Sequence, residues 1–131
     1  MKNLWLHWLW QGLGMTYIAI IFYFCLIDMP PGPSLFPHFD KVLHFTIYLM
    51  LSVWFAQIYL PVLKIKLFLV FFLMSLTIET QQQLLTATRT FEWGDLAANI
   101  TGLLVGFYLS WNFFPELLSE IDRRIKSLIS H

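Results

Sequence analysis

Four nearly uncharged stretches, at 9–27, 41–60, 67–85 and 95–114, constrain this 131-residue chain more than any other feature. Each is long enough to cross a bilayer, because about 20 residues of helix at ~1.5 Å per residue match a hydrocarbon core ~30 Å thick. With 58% of residues hydrophobic and 12% charged, a soluble domain of this size has no interior large enough to hide the apolar surface. The expectation is an all-α, four-helix transmembrane bundle formed by one domain over residues 1–131. Formal charge is zero, eight basic residues against eight acidic ones, which leaves no basic patch for nucleic acid. The single cysteine, Cys25, sits in an apolar run, has no partner for an intrachain disulfide, and reads as a small hydrophobe.

The first stretch begins behind Lys2 in the manner of a secretory signal. Ile27-Asp28-Met29-Pro30-Pro31 offers no small-residue cleavage site, so the stretch is expected to stay as a span. Asp28 to Asp40 holds Pro30, Pro31, Gly32, Pro33 and Pro37 and reads as a loop. Asp40 is placed to cap the second helix, which ends before Pro61. Lys64 and Lys66 mark a short turn, Thr86 to Gly94 a polar connection, and Asp95 the opening of the fourth helix, which runs up to Pro115. Residues 116–131 alternate Leu117, Leu118, Ile121, Ile125 and Leu128 with Glu120, Asp122, Arg123, Arg124 and Lys126. That pattern fits a short amphipathic helix lying on the cytoplasmic membrane surface, or equally a solvated tail. The six tryptophans suit membrane interfaces, and His7 and His131 read as interfacial or solvated.

Basic residues near span ends stay in the cytoplasm, so the sides follow from where they fall. Lys2, Lys64, Lys66, Arg123, Arg124 and Lys126 share one side, against Lys41 and Arg89 on the other. Both termini are therefore expected inside, with the loops at 28–40 and 86–94 outside.

Near the outer ends, the polar residues fall into helical stripes. Lys41, His44 and Tyr48 share a face of the second helix; Glu79, Gln82 and Gln83 share one of the third, with Thr86 a turn further on; Asp95, Asn99, Gly102 and Gly106 share one of the fourth. Facing lipid, such stripes are costly, so they are expected to face one another. Glu79 lies six residues inside the end of its span, or ~9 Å deep at ~1.5 Å per residue, and needs a partner. Arg89, Lys41 and His44 are the candidates, and the whole reads as a polar pocket open to the outer surface.

Other chemistries fit less well. His44, Glu79 and Asp95 can ligate a metal in principle, but no pair of histidines stands at helical spacing and His38 is the only other imidazole outside, so no metal and no cofactor are expected. Ser52 and Ser75 lie in apolar stretches with no evident base, which argues against a serine nucleophile. Gly102 and Gly106 form a GxxxG pair for close helix packing, within the bundle or between copies in a homo-oligomer.

The series Asp40-Lys41-x-x-His44-Phe45-x-x-Tyr48, Glu79-x-x-Gln82, Thr88-Arg89 and Asp95-x-x-x-Asn99-x-x-Gly102 resembles the VanZ-like family. These are small bacterial membrane proteins named for a member associated with teicoplanin resistance. The resemblance runs from Asp40 to Gly106; Ala87 and Thr88 precede Arg89 where many members carry a proline, and the first helix shows no family motif. It implies a multi-pass protein of the bacterial cytoplasmic (inner) membrane, with a role at the cell envelope and a link to glycopeptide resistance.

Together the residues point to a ligand pocket of Asp40, Lys41, His44, Tyr48, Glu79, Gln82, Arg89, Asp95 and Asn99. Its expected partners are membrane lipids, as a lipid-linked cell-wall precursor or an anionic headgroup held by Lys41, Arg89 and His44. A membrane enzyme is the alternative, with Glu79 or His44 as general base and Arg89 or Lys41 holding charge. A third is an accessory subunit whose polar network only fixes the fold. The lack of a recognisable nucleophile favours the binder.

Overall fold

The computed structural model describes residues 1–27 and 35–130, and among these it contains only helices and connecting turns. The elements are α1 (His7–Leu26), α2 (Phe39–Ile58), a 3-10 turn (Pro61–Leu63), α3 (Lys64–Leu85), α4 (Trp93–Phe113) and α5 (Leu117–Ile129). The first four helices are long and apolar enough to cross a membrane. Most of the expected loop at 28–40, and His131, lie outside the described residues.

Helix boundaries follow the breakers. Pro61 opens the 3-10 turn, where its missing amide costs nothing, and the chain re-enters a helix at Lys64. The expected cap at Asp40 is not formed. His38 precedes α2 with a left-handed φ of 60°, no side chain caps the helix, and Asp40 falls in its first turn. Its carboxylate is drawn to Lys41 Nζ at 2.8 Å instead of to a backbone amide. It still lies where the positive end of the helix dipole favours an anion. Likewise α4 begins at Trp93, and Asp95 sits in its first turn.

The central pair is α2 and α4. Gly102 and Gly106 are buried against the backbone of α2, where a Cβ on Gly102 would collide with the Phe45 carbonyl and come within 3.0 Å of Leu49 N. Of the two uses open to this glycine pair, the one observed is close packing within the bundle. Around that pair the core is apolar and aromatic. Phe55 meets Phe71 edge-on at 5.0 Å, and Phe107 stacks on Trp111 at 4.7 Å. Helices α1 and α3 flank the pair and turn Ile20, Phe24, Leu69, Val70 and Leu73 outward, a surface suited to acyl chains.

Residues 117–129 are helical, so the tail forms the expected short helix. Helix α5 buries Leu118 with Leu4, Trp10 and Ile58 and is fastened by polar contacts. Asp122 accepts hydrogen bonds from Trp5 N (2.5 Å), Leu6 N (2.9 Å) and Trp10 Nε1 (2.7 Å). Gln57 donates through Nε2 to Ser110 Oγ and the Phe114 carbonyl, and accepts from Leu118 N through Oε1. Lys2 donates its backbone amide to the Ile58 carbonyl and its ammonium to the Pro115 carbonyl. Both termini thus gather at one end of the bundle, leaving the opposite end to the polar stripes.

Candidate functional site

At that opposite end the start of α2, the end of α3 and the start of α4 bring their charged faces together. Lys41 Nζ is surrounded by carboxylates: Asp40 at 2.8 Å, Glu92 at 2.6 Å and Asp95 at 2.6 Å. His44 is the hub beneath it. Its Nδ1 lies 3.1 Å from Asn99 Oδ1 and 3.8 Å from Glu79 Oε1, and its Nε2 lies 3.5 Å from Asp95 Oδ2. Asn99 in turn donates its amide to Ser75 Oγ at 2.8 Å. Helical phase alone therefore located a real cluster of His44, Glu79, Asp95 and Asn99.

Glu79 is fully buried, and neither of its carboxylate oxygens has a close hydrogen-bond partner, the Glu92 backbone amide being the donor turned toward it. The buried Tyr48 hydroxyl likewise lacks a close partner, with Ser75 the hydroxyl turned toward it. Of the three expected partners for Glu79, His44 is the one that faces it. Lys41 is committed to its three carboxylates, which also removes it as an anion contact. Arg89 stands further out, where its Nη1 donates to the Cys25 carbonyl at 3.0 Å. Gln82 Nε2 donates to the same carbonyl at 2.8 Å. Arg89 joins the cluster only along this wall, and it makes no ion pair among the described residues.

Between these elements and the end of α1 opens a cavity of about 480 Å³. Its lining includes apolar Phe24, Leu43 and Ile47 together with polar Asp40, His44, Gln82, Arg89, Glu92 and Asp95. Glu79 and Asn99 lie behind His44 and are not on the wall itself. A second cleft, of about 530 Å³, lies at the termini, lined by Trp5, Glu116, Asp122, Arg123 and Lys126 among others. The carboxylate of Asp122 there is already satisfied by three donors.

Two residues escaped the sequence reading. Glu92 holds Lys41, and Ser75, which lies in an apolar stretch of the sequence with no evident base, anchors Asn99. Ser75 precedes Glu79 by one helical turn, so its phase was the available signal.

The chain has no significant match among curated proteins or solved structures. The VanZ/LLP1 family model matches residues 3–115, a span that takes in all four long helices and every residue of the polar cluster. It also includes α1, where no motif was visible. The chain therefore belongs to the VanZ/LLP1 family.

Proposed function

We propose that the protein resides in the bacterial cytoplasmic membrane with both termini inside, and that its outward cavity binds the phosphate-bearing headgroup of an envelope lipid. Supporting the orientation, the six basic residues of Lys2, Lys64, Lys66 and α5 gather at the end that holds the termini. The observation that carries the binding reading is the mixed lining of the cavity, in which apolar Phe24, Leu43 and Ile47 stand beside Arg89 and the polar cluster. An amphiphile suits such a lining, with its acyl chain against the apolar residues and its headgroup against Arg89. Arg89 is the anion contact, because among the described residues its guanidinium is engaged only through Nη1, to the Cys25 carbonyl, and its planar fork can take two phosphate oxygens. A protein holding a lipid-linked precursor at this face would change what a cell-wall drug meets there, which is the route by which the family's glycopeptide phenotype would extend to this chain.

Native mass spectrometry of the purified protein tests the reading, with phosphatidylglycerol and a polyprenyl phosphate as separate probes. The two arms distinguish a bulk phospholipid from a lipid-linked precursor. Arg89→Ala is expected to weaken the preferred adduct by roughly tenfold or more, the equivalent of about 1.4 kcal/mol. Arg89→Lys should weaken it nearly as much, since lysine keeps the charge and loses the fork. Equal adducts in wild type and Arg89→Ala would remove Arg89 from the site.

A further inference from the structure

Glu79 presents a physical problem that the headgroup reading leaves untouched. A fully buried carboxylate without a close hydrogen bond is expensive, and here it faces an imidazole edge at 3.8 Å, with the Glu92 backbone amide as the donor turned toward it. The neighbouring histidine sharpens it. Because Asn99 gives its amide to Ser75, its Oδ1 is the atom turned to His44, and it accepts the Nδ1 proton at 3.1 Å. The His44 Nε2 lies 3.5 Å from Asp95 Oδ2. An imidazole set between two carboxylates, one of them buried without a close hydrogen bond, is a group of atoms that a cation can bridge.

We propose that His44, Glu79 and Asp95 form a binding site for a divalent transition-metal cation at the floor of the cavity. Each offers one ligand atom, and the three atoms lie within 4.8 Å of one another. Ligands about 2.1 Å from a common ion stand ~3.4 Å apart in tetrahedral geometry, so closure by an ångström or so completes the set. One imidazole with two carboxylates is the chemistry of Zn²⁺, Co²⁺ or Mn²⁺. Asn99 then has a definite role: a ligating histidine ordinarily gives its other ring proton to an acceptor that fixes the ring, and Asn99 Oδ1 receives it here.

Among the described residues, the carboxyl groups of Asp40, Glu79, Glu92 and Asp95 outnumber the cations Lys41 and Arg89 around the cavity. Lys41 does not block the site, since it engages Asp95 through Oδ1 and leaves Oδ2 directed at His44. The adjacent acidic trio of Asp40, Glu92 and Asp95 is already filled by that ammonium. Spacing in the sequence argued against a metal because the three ligands come from three different helices, with no pair on one.

The test uses the full chain, purified, stripped with chelator and titrated with Co²⁺, then with Zn²⁺ as competitor. Visible absorption should show ligand-field bands that saturate at one equivalent and disappear on adding Zn²⁺. His44→Ala and Glu79→Gln should each abolish the bands while helicity and elution volume stay as in wild type. Should Glu79→Gln fail to fold, His44→Ala with a Zn²⁺-dependent rise in Tm of wild type alone decides. No saturable bands, or bands unchanged in both variants, overturns the proposal. No lipid enters the measurement, so its failure leaves the headgroup reading standing, and lost headgroup binding in Arg89→Ala leaves the metal site standing.

Discussion

Asp122 and Glu79 are both buried carboxylates, with opposite surroundings. Glu79 has no close hydrogen bond, whereas Asp122 has three, two of them from backbone amides at the start of the chain. Burial pushes the Asp122 carboxyl upward, but the bonds from Trp10, Leu6 and Trp5 outweigh it and hold the group below the ordinary carboxylate range. A depressed folded value stabilises the contact above the unfolded pKa of ~3.9, and that stabilisation is lost as pH falls through the folded value. Below about pH 4 the fastening of α5 to the N-terminal segment should therefore weaken. Asp122→Asn should reproduce the effect at neutral pH, and Asp122→Ala should cost about 3 kcal/mol, since each hydrogen bond to a charged group is worth ~1.5–3 kcal/mol and neighbours are not additive. Hydrogen exchange at Trp5 and Leu6 reports it. Unchanged protection in Asp122→Asn would show that apolar packing of Leu118 alone holds the helix. None of this was legible beforehand, because Asp122 reads as one of several charges on a polar face and its partners stand more than a hundred residues away.

At the scale of elements, the glycines of α4 set how closely the central pair approaches. A Cβ at Gly106 would meet Ser52 Oγ and the Leu49 carbonyl, and one at Gly102 would meet the Phe45 carbonyl. Backbone cannot step aside as a side chain can, so α2 and α4 must separate. Gly102→Ala and Gly106→Ala should each lower stability by about 1–3 kcal/mol. Gly12→Ala, with nothing within 4 Å of the added methyl, should instead be neutral or stabilising by up to ~1 kcal/mol through helix propensity. Thermal unfolding in detergent compares the three, and a stable Gly102→Ala would show that the helix pair has slack. Helical periodicity made the spans and this small-residue stripe legible, to within a few residues at each end. Where periodicity stops, so did the reading: Asp40 was expected to cap α2, and the left-handed turn at His38 took that place. The loop carrying Arg89 and Glu92 has no period either. Its pairing of Glu92 with Lys41, and of Arg89 with the end of α1, follows from the fold alone.

The molecule as a whole divides its polar chemistry between two ends. At one end Lys2, Gln57 and Asp122 are fastened by hydrogen bonds, so the polar groups around its cleft are satisfied; at the other, a cavity lies beside a carboxylate without a close hydrogen bond and an arginine without an ion-pair partner among the described residues. Apolar side chains of α1 and α3 cover much of the surface between them. Satisfied polar groups fix structure, while unsatisfied ones beside a cavity await a ligand, and that asymmetry is the basis for assigning function to one end. It was visible in outline from the sequence, as charges concentrated where three spans begin or end, but which groups remained unpaired required their partners to be placed. A structure determined with native membrane lipid retained tests the assignment most directly. The account predicts non-protein density in the cavity beside Phe24, Leu43 and Ile47, with a phosphate within hydrogen-bonding reach of Arg89. A cavity holding only water, with Arg89 paired to Glu92 or turned to solvent and lipid confined to the outer faces of α1 and α3, would contradict it.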